Sequence, residues 1–224
     1  MKILTIADEE SKILWDYYDP ERLRGVELIL SAGDLSPAYL EFLVSMTNCP
    51  LLYIRGNHDS RYKEDPPQGC ICIEDTVFNF KGVRILGLGG SMRYRSGDNQ
   101  FNETEMTRRV RKAERSIRFM NGFDILLTHA PARGYGDMND LPHLGFNCFN
   151  TLLEKWKPKY FVHGHVHKTY GHFQAFSEHS SGTSIINAFE YQIIDLPSDS
   201  YPAYGRTGSP LYDIYTAFHK NKYY

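Results

Sequence analysis

No apolar run in this chain approaches the ~20 residues that a helix needs to cross a bilayer, so nothing in it reads as a membrane span. The amino terminus, Met1-Lys2-Ile3-Leu4-Thr5-Ile6, lacks the n-region, h-region and cleavage site of a signal peptide. A cytoplasmic location is the resulting expectation. Cysteine is scarce, with four in 224 residues. Cys49, Cys70, Cys72 and Cys148 form no C-x-x-C pair of the kind that holds zinc, and in a reducing compartment they read as free thiols. An excess of charge of one sign is lacking too. Lys and Arg number 25 against 27 Asp and Glu, a formal net of −2, which gives no global attraction to nucleic acid or to anionic membranes. Internal repeats, low-complexity tracts and obvious linkers are absent. The 42% apolar content suffices for a real core, and the length suits one domain over 1–224, with an aromatic-rich extension from about residue 198.

What the chain does have is five short apolar runs, each ending in a residue able to bind a metal. Ile3–Ala7 leads into Asp8, Leu28–Gly33 into Asp34, and Leu51–Gly56 into Asn57. Ile125–Thr128 leads into His129, and Tyr160–Gly164 into His165, with His167 two places on. Short apolar runs bounded by turn residues read as buried strands. In open α/β sheets ligands collect at the carboxyl ends of strands. Carboxylate, carboxylate, amide and two imidazoles delivered to one edge make the geometry of a metal centre, which packing alone explains poorly.

Between these strands the pattern turns helical, which favours an α/β fold. Ser36-Pro37 reads as a helix start with Leu40, Leu43 and Val44 on its buried face. Asn102 and Glu105 resemble a capping box ahead of Met106, Val110, Ala113, Ile117 and Met120 at helical spacing. Phe149, Leu152, Leu153 and Trp156 mark a third helix that Pro158 ends. Val83, Ile85 and Leu86 form a strand opening into a Gly-rich loop. Thr183–Asn187 and Tyr191–Asp195 look like a closing pair of strands. The tail from about Ser198 to Tyr224 has many tyrosines and no clean period, which suits either wrapping over the surface or ordering in a homo-oligomer.

The elements Asp8-Glu9-Glu10, Gly33-Asp34, Gly56-Asn57-His58-Asp59, Thr128-His129-Ala130 and Gly164-His165-Val166-His167 together resemble the calcineurin-like metallophosphoesterase superfamily. The resemblance implies a four-layer α/β/β/α sandwich, two mixed β-sheets packed together with helices outside. It also implies two divalent metal ions. The first would be held by Asp8, Asp34 and His167, with Glu10 where the family usually has a histidine. The second would share Asp34 and add Asn57, His129 and His165. A carboxylate for an imidazole at position 10 favours harder ions, manganese or iron(II), with magnesium and zinc as alternatives. In the family the histidine of Gly-Asn-His-Asp lies beside the metals and protonates or stabilises the leaving oxygen. That role falls to His58, with Asp59 expected to bond its other ring nitrogen. A hydroxide bridging the metals would attack phosphorus in line.

Around His129, Gly134, Gly136, Asp137, Gly145 and His163–His167 the chain looks like the branch that contains cyclic-nucleotide phosphodiesterases, and Ile186-Asn187-Ala188 and Ile194–Pro197 extend the likeness. A small-molecule phosphoester is therefore the expected substrate, diester or monoester. Arg93, Arg95 and Arg133, in loops after strands, suit phosphate binding, although solvated loop arginines are the commoner reading. His143 is a candidate for the pocket wall. His163, His172, His179 and His219 read as ordinary surface or hydrogen-bonded histidines. The helix from Asn102 carries Arg108, Arg109, Arg111, Lys112, Arg115 and Arg118, but without interleaved aromatics it reads as a solvated face, not a nucleic-acid surface. Two rival functions remain: a nuclease of the same superfamily, and a catalytically weak or inactive scaffold with the same fold.

Overall fold

A computed structural model describes residues 1–171 and 173–219. His172 and the end of the tyrosine-rich tail, residues 220–224, lie outside the described residues. One sheet contains β1 (Lys2–Ala7), β2 (Val26–Ser31), β3 (Leu51–Tyr53), β4 (Ile71–Cys72) and β13 (Glu190–Asp195), in the order β13-β1-β2-β3-β4. The other contains β5 (Thr76–Phe80), β6 (Val83–Leu88), β9 (Ile125–Thr128), β10 (Tyr160–His163), β11 (Phe176–Glu178) and β12 (Ser184–Asn187), in the order β11-β12-β10-β9-β6-β5. A small ribbon pairs β7 (Ser91–Met92) with β8 (Gln100–Phe101). The helices are α1 (Pro37–Thr47), α2 (Glu103–Phe119), α3 (Asn147–Trp156) and α4 (Pro210–Phe218). None of the described helices is long and apolar enough to cross a membrane.

Side-chain alternation builds the layers. Successive residues of a strand face opposite ways, so Leu28 and Leu30 of β2 meet Ile125 and Leu127 of β9 and Val162 of β10 between the sheets. Ile29 faces outward with Leu4, Ile6 and Leu51 and packs under Tyr39, Leu40 and Leu43 of α1. Leu126 and Phe161 face the other way and pack under Met106, Val110, Ala113 and Ile117 of α2 and Phe149, Leu152 and Leu153 of α3. The order is helix, sheet, sheet, helix. Both sheets are mixed, with antiparallel β13 and β1 in one and antiparallel β5–β6 and β11–β12 pairs in the other.

The helix ends follow their local chemistry. The Ser36 side chain caps α1 by accepting from the Tyr39 amide, and α1 ends at Asn48 in the left-handed region. The Asn102–Glu105 capping box is reciprocal. Two strands depart from expectation. The segments expected as a closing pair do not pair with each other. β12 lies beside β10 and β11, whereas β13 runs antiparallel to β1 in the opposite sheet. Ala188 and Phe189 between them are buried rather than turn-forming. With no Gly-rich hairpin turn to reverse it, the chain crosses from one sheet to the other.

A buried ion pair fixes the start of β9. The Arg84 guanidinium grips both carboxylate oxygens of Asp124, at 2.7 and 3.0 Å, and also donates to the carbonyls of Met120 and Asn121 beyond α2. Removing one partner of such a pair leaves an uncompensated buried charge, a cost of about 3–5 kcal/mol. Other cations of this region are also engaged: Arg109 pairs with Asp75 at 2.8 Å and Arg118 reaches Glu114 at 3.5 Å. The four cysteines are free.

Candidate metal centre

Because β1, β2 and β3 are mutually parallel, and β9 and β10 likewise, their carboxyl ends share one edge of the sandwich. Asp8 follows β1 directly, Asp34 and Asn57 lie just beyond β2 and β3, His129 follows β9, and His165 and His167 follow β10. Asp8, Asp34 and His165 adopt left-handed backbone, with φ of 66°, 58° and 69°. Left-handed backbone here makes the sharp turns that end the strands; it also occurs elsewhere in the chain, at Asn48 and Asp75 among others. The adjoining glycines permit the close approach. A Cβ on Gly33 would strike the backbone of Gly56, one on Gly56 would strike the Asp34 carboxylate, and one on Gly164 would strike Asp8.

The side chains then converge. His129 is fully buried, and its Nδ1 donates to the Ala32 carbonyl at 2.8 Å, which fixes that proton. Its Nε2 faces Asn57 Oδ1 at 2.9 Å and Asp34 Oδ2 at 3.3 Å. His165 Nε2 donates to the Pro142 carbonyl at 2.8 Å, leaving Nδ1 with its lone pair. Ligand atoms of Asp34, His129 and His165 all lie within 4.8 Å of one another. On the other flank, Asp8 Oδ2 accepts from the His165 amide at 2.8 Å, whereas the buried Oδ1 has no hydrogen-bond partner and lies 3.7 Å from His167 Nε2. A cavity of about 450 Å³ opens over these groups, lined by Asp8, Asp34, Asn57, His58, His165 and His167 among others.

This donor set suits a cation. A buried carboxylate oxygen without a partner carries its full desolvation penalty, of order 1–3 kcal/mol or more, and three electron-rich atoms meet at His129 Nε2. A proton on His129 answers the same field. Burial disfavours the His129 imidazolium, but the Asp34 carboxylate outweighs burial and holds its pKa up to about 9. For Asp34, burial acts upward and the facing His129 downward, and the carboxyl rests at about 2. Burial, aided by His129, pushes His165 down to about 3 and keeps it neutral, as a ligand must be. A cation at this position would therefore compete with a proton for His129.

The sequence profile of calcineurin-like phosphoesterases matches residues 10–169, well over half of the chain. The chain belongs to this family. Calcineurin-like phosphoesterases bind divalent metals, and the Asp34–His129–His165 cluster is a candidate site for one. Among curated relatives, UPF0046 protein T07D4.2 of Caenorhabditis elegans is 33% identical over 111 residues, 48% of this chain and 26% of that protein. A second, UPF0046 protein C25E10.12 of the same organism, is 43% identical over 54 residues, 21% of this chain and 19% of that protein. The matches thus span about a quarter or less of the relatives' length. Among solved structures, TT1561 of Thermus thermophilus superposes with a TM-score of 0.57 at 14% identity, covering 84% of this chain and 89% of that one. At such identity the likeness is one of fold.

Several residues of this calcineurin-like phosphoesterase lie elsewhere than expected. Glu10, expected as a ligand of the first site, does not line the cavity. It is exposed, and its Oε1 accepts from the Ser36 amide at 3.1 Å, where the amino terminus of α1 attracts a carboxylate. Asp59, expected to bond the His58 ring, is turned inward, and its Oδ2 accepts from the amides of Asp34 at 2.7 Å and Gly56 at 2.8 Å. It clamps the turns after β2 and β3 together. Burial, reinforced by the Asp34 carboxylate, lifts its pKa to about 7. Arg93 leaves the cavity for Glu105 at 2.9 Å and the Gln100 carbonyl at 3.1 Å. Arg133 lies 3.5 Å from Asp137 and does not line the cavity. His143 does line it, its Nδ1 2.6 Å from Asp140. Tyr94 and Tyr170 complete the wall and escaped sequence reading. Tyr94 Oη accepts from Asn57 Nδ2 at 3.4 Å, and the Tyr170 ring stacks on His167 with centroids 4.9 Å apart. Neither tyrosine belongs to a spaced motif; only the flanking Arg93 and Arg95 pointed towards the first.

Proposed function

We propose that the chain is a dinuclear metal-dependent phosphoesterase acting on a small phosphodiester. The observation that carries this reading is the convergence of Asp8 Oδ1, which lacks a partner, and the Asp34–Asn57–His129 group on one open cavity. Asp8, Asp34 and His167 would hold one cation, and Asp34, Asn57, His129 and His165 the other. Mixed carboxylate, amide and imidazole donors suit first-row ions such as manganese or iron(II). Bound there, the ions supply charge neutralisation at phosphorus and acidify a coordinated water. The protein's own groups do the rest. His58 lines the cavity, its amide donating to Asp34 Oδ1 at 2.7 Å, and its ring is the group assigned to protonate the leaving oxygen. Asp59 holds the turns that aim Asp34 and Asn57. Tyr94 orients the Asn57 amide so that Oδ1 faces the centre. His143 and Tyr170 shield one side of the reacting group from water and contact the ester. Glu10 serves the approach of α1 rather than the cations.

Hydrolysis of bis(p-nitrophenyl) phosphate by the chelator-stripped protein, before and after Mn²⁺ is restored, tests this reading. Turnover is expected only with metal. Full occupancy by metal with no release of p-nitrophenol from the diester or from the monoester would instead favour the inactive scaffold.

A further inference from the structure

The carboxyl-terminal helix carries an apolar face that nothing in the described structure covers. Its inner face is well docked. Tyr212 and Thr216 are buried, and the Tyr212 ring meets Phe119 edge-on with centroids 5.3 Å apart. Asp213 Oδ1 accepts from the amide and hydroxyl of Thr207, both at 2.8 Å, and Asn121 ties the Thr207 carbonyl at 3.0 Å. The outer face of this anchored helix presents Leu211, Ile214, Tyr215 and Phe218, exposed by 73%, 58%, 48% and 80%. Their spacing, i, i+3, i+4, i+7, is that of a stripe built to be buried, and Phe119 of α2, 38% exposed, extends it.

We infer that this stripe is the contact between two copies of the chain, packed antiparallel about a two-fold axis at Ile214 and Tyr215. Charge and area argue for a second copy. Asp213 is the sole charged residue of α4, and it is spent on the preceding turn, so two such faces meet without burying a charge. Helices that lie on bilayers carry Lys and Arg along their polar face; α4 itself has none, although Lys220 and Lys222 follow it in the sequence, and the net charge of −2 gives no global attraction to anionic lipid. Taking roughly 200 Å² for a side chain of this size, the exposed portions amount to about 600 Å² per copy. A pair would bury ~1,200 Å², the lower end of the range for specific interfaces. A two-fold axis between the centres of two such stripes sets Leu211 of one copy near Phe218 of the other, so the surface is self-complementary.

Sedimentation of the intact chain over a concentration series tests this. Wild type is expected to dimerise with a Kd of about 1–100 µM, as suits a small interface. Ile214→Asp and Ile214→Lys should each weaken the dimer by ~100-fold or more, because each places an unpaired charge at the axis. Position 214 is exposed, so both variants should keep the wild-type circular dichroism. Mixing the two should restore a heterodimer, a result that a structural fault in either variant would not produce. A wild type that stays monomeric at several hundred µM overturns the proposal. So does a dimer that survives both substitutions, or wild-type monomer that binds phosphatidylserine vesicles through this face.

Discussion

Replacing Asp34 by Asn is expected to empty both cation positions together and to lower diester hydrolysis by about 10³–10⁴-fold, since a bound metal contributes several kcal/mol at the transition state. In the proposed dinuclear site, position 34 is the shared one. Its Oδ2 faces His129 Nε2 at 3.3 Å, while its Oδ1 accepts from the His58 amide at 2.7 Å. Asparagine keeps an oxygen for that amide, so the turn survives and the loss reads on the cations. The substitution also removes the charge that holds the His129 pKa at about 9. His129 should then become neutral at lower pH, which an NMR titration of its ring without added metal reads. In the unsubstituted protein, calorimetry in buffers of different ionisation enthalpy at a pH of about 7.5 should show a proton released as Mn²⁺ binds. An Asp34→Asn protein that still bound two equivalents of Mn²⁺ would remove Asp34 as the bridge.

The second large effect is expected at His58. His58→Asn should retain its metals and lose about 10²–10⁴-fold in rate, the usual worth of a general acid. The loss should depend on the leaving group. A nitrophenolate departs with little help, whereas an alkoxide needs the proton, so an alkyl ester should show the full loss and the bis(p-nitrophenyl) ester much less. Equal losses on the two substrates, or none on either, would take the proton-donor role away from His58. Asp59 enters differently from the sequence-based expectation. Its carboxylate is committed to the amides of Asp34 and Gly56, so its substitution would act on the placement of those turns.

The convergence of the candidate ligands on one edge was legible in the sequence because each of its parts is local. An apolar run sets a strand, the strand sets the direction of the next residue, and Gly33, Gly56 and Gly164 mark where a neighbouring segment comes close. The four layers were legible less directly, through a family likeness, and the alternation of Leu28, Ile29 and Leu30 between two cores accounts for them. What escaped depends on partners distant in sequence. The direction of Glu10 is decided by the Ser36 amide and that of Asp59 by Gly56 and Asp34. Arg93 is drawn to Glu105, in the first turn of α2. β12 and β13 look like neighbours because they are adjacent in sequence, yet Ala188 and Phe189 carry the chain across the core. Tyr94 and Tyr170 matter for the wall they complete, which no spacing encodes.

Anomalous diffraction from crystals grown with Mn²⁺ tests the central claim most directly. Two peaks are expected ~3.5–4 Å apart, one beside Asp8 and His167 and the other beside Asn57, His129 and His165, with Asp34 touching both and Glu10 touching neither. Two fully occupied peaks elsewhere on the chain, or none between these residues at saturating Mn²⁺, would contradict the account.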